Sequence, residues 1–280
     1  MVVKDAGETR PAVKQFSYSY PILHFGMRTP RTFAASIERL VFSVCEYLFS
    51  MLSGAPVKLR ELLTSRYSFQ NELSILSVRI LGDCLPDRVD AVYLFSQTRD
   101  NEAGQVEKAK ELSLKFPHVK ILICGEDGCR RCGWEGHERF SEVLLGAGIR
   151  REVIDVVPFP VSAPTINTLN ESQALVEHLK SCDYKNLVLV SPFFHQVRST
   201  ITFLSCLTSA CLCTSSPFAV YSSPAKVLKW EETVAHSQGT LKGTRTSFIR
   251  SESDRIWKYY CQGDLKHPKV ILTYMMLRIE

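Results

Sequence analysis

The feature that most constrains this chain begins near residue 86, where short apolar, β-branched runs bounded by turn residues alternate with longer stretches of helical period. The runs are Ala91–Phe95, Val119–Cys124, Val153–Val157, Leu187–Val190, Phe218–Tyr221 and Val270–Tyr274, and they predict strands. The stretches Glu102–Phe116, Trp134–Ala147, Thr168–Ser181, Gln196–Leu207 and Ser251–Cys261 predict helices. A strand that is apolar at successive positions is covered on both faces, and parallel neighbours need a crossover of a dozen or more residues, usually a helix. The alternation therefore predicts an α/β domain over 86–280, a three-layer sandwich around a mostly parallel sheet.

Upstream the period is helical only. Ile37, Leu40, Val41, Val44, Cys45, Leu48, Phe49 and Leu52 recur at three and four, and Gly54-Ala-Pro56 ends that stretch. Shorter helices are expected at Leu59–Leu63 and Glu72–Leu81, with Gly82 as a cap. Residues 33–85 thus read as an N-terminal helical segment packed on the domain. Residues 1–32, with Pro11, Pro21 and Pro30 and no sustained period, read as an irregular extension.

Composition excludes several function classes. A chain of 280 residues, 45% hydrophobic and 22% charged, buries a full core without staples. Its 34 Lys+Arg against 29 Asp+Glu leave +5, with no run of five like charges, so no nucleic-acid partner is expected. Phe33–Leu52 is broken by Glu38, Arg39 and Glu46, and no 18-residue apolar run exists, so no integral membrane segment is expected. The first residues carry Asp5 and Glu8 and lack the apolar core of an export signal. Several of the ten cysteines (Cys45, Cys124, Cys206, Cys211) sit in apolar runs, where a reduced thiol packs as a small hydrophobe, and a cytoplasmic location is expected. Oligomeric state is not legible.

In an open parallel sheet, ligands bind outside the carboxyl ends of the strands, where loops lead into helix N-termini. This chain places Ser96-Gln-Thr-Arg-Asp-Asn101 after the first strand, Gly125-Glu-Asp-Gly128 after the second, 158–167 after the third and Ser191-Pro-Phe-Phe-His-Gln-Val-Arg198 after the fourth. His195 and Arg198, three apart, share one face of a first helical turn, an arrangement suited to an anion or a proton transfer. Capping Asn and Ser and turn-forming Gly explain the same residue types in each loop structurally. Asn167-Thr168 opens a helix that carries Glu171 in its first turn, a pattern that serves capping and ligand binding equally.

These motifs resemble the YdcF/SanA/ElyC-like proteins, the family called domain of unknown function 218, over residues 90–206 and further on. Asp90-Ala-Val-Tyr-Leu-Phe95 resembles its first strand, and Ile123-Cys-Gly-Glu-Asp-Gly128 its Ser-Gly-Gly loop. Trp134-Glu135-Gly136 with Gly148-Ile149-Arg150 is similar to its Glu-Ala helix. Ile166-Asn-Thr-Leu-Asn-Glu171 is similar to its Asn-Thr-x-Glu-Asn-Ala motif, and Val190–Arg198 to its Val-Thr-Ser-x-x-His-x-x-Arg motif. Glu252-x-x-Arg255 and Gly263-Asp264 resemble its tail. The chain departs from the family at Ser96, Gln97 and Thr98, where glycines are usual, at Glu126, and in the swapped order of Asn170 and Glu171. The resemblance implies a Rossmann-like fold and a pocket at the strand edge. One bacterial branch is described as binding S-adenosylmethionine, others are tied to cell-envelope upkeep, and no common reaction is established.

The expected function is binding of a small anionic metabolite or nucleotide-like cofactor, S-adenosylmethionine being one candidate. Arg198 would pair with its anionic group and His195 shuttle a proton. Asn167 and Thr168 would present amides and hydroxyl, Glu135 and Glu171 would orient polar groups, and Gly125, Asp127 and Ser96 would complete the lining. Two alternatives stay open: a non-catalytic structural or partner-docking module, and a hydrolase with Ser191 as nucleophile and His195 as base. Cys129, Cys132 and His137, with Cys124, supply four soft ligands in fourteen residues, a zinc-like set. Because Cys124 should end a buried strand and point into the sheet, reduced thiols are expected there and no metal is assigned.

Overall fold

The computed structural model describes residues 57–128, 133–160, 166–210, 218–236 and 241–278. In chain order the elements are α1 (Val57–Leu81), β1 (Ala91–Leu94), α2 (Arg99–Lys115), β2 (Lys120–Cys124), α3 (His137–Gly146) and β3 (Ile154–Val157). There follow α4 (Thr168–Leu179), β4 (Asn186–Val190), α5 (Phe193–Ser209) and β5 (Ala219–Ser222). The last are β6 (Thr233–Ala235), β7 (Lys242–Thr244), α6 (Arg245–Gln262) and α7 (Pro268–Leu277). The predicted helix Phe33–Leu52 and the extension 1–32 lie outside the described residues. Among the described residues no helix is long and apolar enough to cross a membrane.

The five strands β1–β5 form an all-parallel sheet in the order β3-β2-β1-β4-β5, the Rossmann-like arrangement. Alternation along β1 decides which layer each side chain joins. Ala91, Tyr93 and Phe95 pack with Phe69, Leu73, Leu76 and Ile80 of α1 and with buried residues of α4 to α7. Val92 and Leu94 pack with Ala109 and Leu112 of α2 and Phe140 and Leu144 of α3 on the other face. Both faces are covered, which is why these strands read as unbroken apolar runs.

Three elements differ from expectation. Val270–Tyr274, expected as a strand, lies inside α7: His267 caps it, Pro268 takes its first turn, and buried Ile271 and Met275 sit four apart while Val270 is exposed. Leu59–Leu63 and Glu72–Leu81 are parts of one continuous helix, because the polar stretch between them contains no Gly or Pro to stop it. Between β5 and α6 the chain also forms the antiparallel ribbon β6–β7.

Side chains close the β5 edge of the sheet. The outward backbone of Val220 meets Tyr274 Oη through its N–H (3.2 Å) and Arg278 Nη1 through its carbonyl (2.7 Å), and Ser222 N–H donates to Asp83 Oδ2 (3.0 Å). Arg278 and Asp83 are themselves a buried ion pair.

A close approach fixes one glycine. Gly104 of α2 accepts a hydrogen bond from Lys226 N–H (3.0 Å), and a Cβ there would stand 2.5 Å from the Lys226 carbonyl oxygen. Gly104→Ala should therefore cost about 1–3 kcal/mol by overpacking, read as a lower denaturation midpoint. An unchanged midpoint would show that the segment after β5 is free to move away.

Candidate functional site

After β1 the chain moves toward β2 and β3, and after β4 it moves to β5, so the β1/β4 boundary is the topological switch point. Gln105 of α2 stitches the two strand ends: its Nε2 donates to the Phe95 carbonyl (2.8 Å) and the Val190 carbonyl (3.3 Å). On the loops and helix that meet at these strand ends, some buried atoms have no hydrogen-bond partner among the described residues. They are Gln105 Oε1, both polar atoms of Gln97, Glu102 Oε1 and Ser191 Oγ. The β6–β7 ribbon lies over the same loop, with Ala235 O accepting from Thr98 Oγ1 and Asn101 Nδ2, each at 3.2 Å.

Glu171 enters from the first turn of α4. Its Oε1 accepts from Tyr93 Oη (2.9 Å), Ser96 N–H (2.7 Å) and Ser96 Oγ (3.0 Å), so Ser96 and Glu171 are brought together at the end of β1. Burial pushes this carboxyl up to about 7, although the three donors oppose the shift. Asn167 caps α4, its side chain accepting from Leu169 N–H and Asn170 N–H at 2.9 Å each, and this sets the turn that aims Thr168 and Glu171.

A second carboxylate, Glu252 of α6, gathers the charged residues of the fourth loop. Glu252 Oε2 accepts from His195 Nδ1 (2.8 Å) and Arg198 Nε (2.5 Å), and Oε1 from His236 Nε2 (2.9 Å) and Arg198 Nη2 (3.3 Å). A carboxylate only accepts, so Nδ1 of His195 carries the ring proton and Nε2 is left to accept from Thr168 Oγ1 (3.3 Å). Thr168 Oγ1 in turn accepts from Arg198 Nη1 (3.1 Å), which closes a directed circuit through Arg198, Thr168, His195 and Glu252. Burial and then the Arg198 guanidinium pull His195 down to about 4, so its ring is neutral at physiological pH. Burial alone would raise Glu252; Arg198 and His195 outweigh it and hold the carboxyl well below the usual range.

Arg198 finds partners within the protein. Its Nε and Nη2 serve Glu252 and its Nη1 serves Thr168, while the side chain, 4% exposed, also borders a cleft of ≈170 Å³ with Asn167, Thr202, Tyr259 and Asp264. Among the described residues no hydrogen bond joins Ser191 and His195. Ser191 Oγ has no partner, and both ring nitrogens of His195 are engaged elsewhere.

Gly125, Asp127 and Glu135 stand apart from these two carboxylates. Gly125 is required by packing, since a Cβ would meet the Val157 carbonyl oxygen at 2.7 Å. The Asp127 side chain is exposed, 3.6 Å from His137 Nδ1. Glu135 pairs with Arg99 (3.3 Å) and Arg139 (3.0 Å) at the surface. Cys129 and Cys132 lie outside the described residues, and burial and then Glu171 push the Cys124 thiol up.

Sequence reasoning left out Glu252, His236, Arg255, Gln97 and Gln105 as site residues. Glu252 had a signal, since Phe248 and Ile256 four positions to either side make it a carboxylate on a buried stripe. His236, on a three-residue strand's exit, had none. No protein-family model matches the chain, and no curated protein matches it significantly.

Proposed function

We propose that this chain is a YdcF-like α/β protein that binds a small polar metabolite or nucleotide-like cofactor at the β1/β4 switch point, S-adenosylmethionine remaining one candidate. One observation carries the reading: unmet hydrogen-bonding capacity on Gln97, Glu102, Gln105 and Ser191, buried where open α/β sheets take ligands. Native proteins satisfy nearly all buried polar atoms, so a cluster of exceptions at one edge calls for an occupant. Arg198 then acts as a positioning residue that holds Glu252 and Thr168, and His195 as a neutral imidazole. A cytoplasmic location belongs to the same reading, in keeping with the free thiols Cys84, Cys124, Cys182, Cys206 and Cys261.

The test is the native mass of the purified full chain against its denatured mass. An excess organic mass that is lost in Gln97→Leu is the expected result. A bare mass, with no metabolite in a thermal-shift library stabilising the protein, would overturn the reading. That outcome would favour a structural module, for which the internally satisfied circuit around Glu252 is the supporting observation.

A further inference from the structure

We infer that the β1/β4 edge recognises the neutral or cationic part of its occupant, a group rich in N–H and O–H donors such as a polyol, amine or amide, and that no phosphate, sulfate or carboxylate of that occupant is held there. This rests on the reading that the crevice is occupied, and it adds the class of occupant.

The argument is a census of what each orphaned residue still lacks. Gln105 is oriented by its two bonds: Nε2 faces the Phe95 and Val190 carbonyls, so the atom left over is an acceptor oxygen. Glu102 gives Oε2 to Arg139 and keeps Oε1 unmet, a second acceptor. Gln97, 2% exposed, offers one acceptor and one amide donor. Ser191 offers a hydroxyl, its backbone N–H already being given to Gln196 Oε1 (2.6 Å). Three unmet carbonyl or carboxylate oxygens thus stand against one amide donor and one hydroxyl.

An anion brings acceptors and would leave those three oxygens unmet. Among the described residues the arginines of this edge do not compensate, because each has an acidic partner: Arg99 with Glu135 (3.3 Å), Arg139 with Glu102 and Glu135, Arg198 and Arg255 with Glu252, and Arg245 with Glu232 (2.5 Å). Three features bring the residues that carry these atoms to the same two strand ends. Gln105 bridges the carbonyls that precede the loops bearing Gln97 and Ser191, Glu102 lies one helical turn before Gln105, and all are buried.

The experiment is a thermal-shift titration of the full chain with two sets of probes. D-glucosamine, myo-inositol, adenosine and agmatine are rich in donors; inorganic phosphate, sulfate and citrate are dominated by acceptors. At least one donor-rich probe should raise Tm by about 2 °C or more, with less than half of that rise in Gln97→Leu. Without any probe, Gln97→Leu should itself melt about 2 °C or more above wild type, since it removes two buried atoms that lack partners. Should Leu at this position prevent folding, Gln97→Glu serves instead. It turns the one unmet amide donor into another acceptor and should shift the preference toward cationic agmatine. Stabilisation by phosphate, sulfate or citrate alone overturns the donor-rich class and leaves an occupied crevice standing. No response to any probe overturns the inference. If Gln97→Leu is then also no more stable than wild type, the occupied crevice falls with it, because the buried atoms have partners of their own in solution.

Discussion

Glu252→Ala should remove about 3–5 kcal/mol of folding stability, the cost of leaving a buried charge without its partner. The magnitude follows from what remains. The Arg198 side chain is 4% exposed and would keep only neutral partners, Thr168 Oγ1 and His195 Nδ1 (3.1 Å), while His195 and His236 would each lose an acceptor inside the protein. A domain's whole stability is about 5–15 kcal/mol, so the variant should populate unfolded chain under mild conditions. Urea denaturation reads the loss as a lower midpoint at an unchanged slope. The double replacement Arg198→Leu with Glu252→Leu should be less destabilised than Glu252→Ala alone, because it removes both charges together. Equal losses in the two would show that packing around α6, and not the unpaired guanidinium, sets the cost.

Glu171→Gln should change how stability depends on pH, with the difference from wild type growing as pH rises from 4.5 to 7. In the folded chain His195 titrates near 4 against an ordinary 6.5, so over that interval the unfolded chain holds a proton that the folded one lacks. Stability therefore rises with pH from 4 to 6.5, by about 3 kcal/mol for a gap of this size. Glu171 titrates near 7 against an ordinary 4.5, so here the folded chain holds the extra proton, and stability falls by about 3 kcal/mol as pH rises from 4.5 to 7. In wild type the two slopes nearly cancel between 4.5 and 6.5. Glutamine at 171 keeps an Oε1 for Tyr93 and Ser96 but cannot ionise, so the variant's profile should climb by about 3 kcal/mol from pH 4 to 6.5. Profiles that run parallel for the two proteins would show that Glu171 ionises as it does in solvent.

The central sheet was legible because burial on both faces writes itself into sequence as unbroken apolar runs, as in Ile121-Leu-Ile-Cys124 and Leu187-Val-Leu-Val190. Val270–Tyr274 misled for the same reason, since a five-residue apolar run has no period of its own and only His267-Pro268 marks it as a helix start. At the site, Asn167, Thr168 and Glu171 were legible as the opening of a helix, because capping is local. Ser191 and His195 are close in the chain, yet among the described residues no hydrogen bond joins them. The turn at Pro192 separates a strand end from a helical turn, leaving Ser191 Oγ without a partner while His195 faces Glu252, 57 residues on. His236 reaches that carboxylate from a ribbon whose strands have three residues each, too short for any period to register. That Gln97 is buried without partners is a property of the packed edge, and no residue pattern announces it.

Two of the side chains that close the β5 edge come from later in the chain: Tyr274 and Arg278 act on Val220, more than fifty residues earlier. During synthesis the five strands are therefore complete well before their guard arrives. For that interval the nascent sheet presents the outward N–H and C=O of Val220 as a template for another strand. The last helix thus serves as a terminal seal, and how quickly it docks sets how long a newborn molecule can be joined by its neighbours.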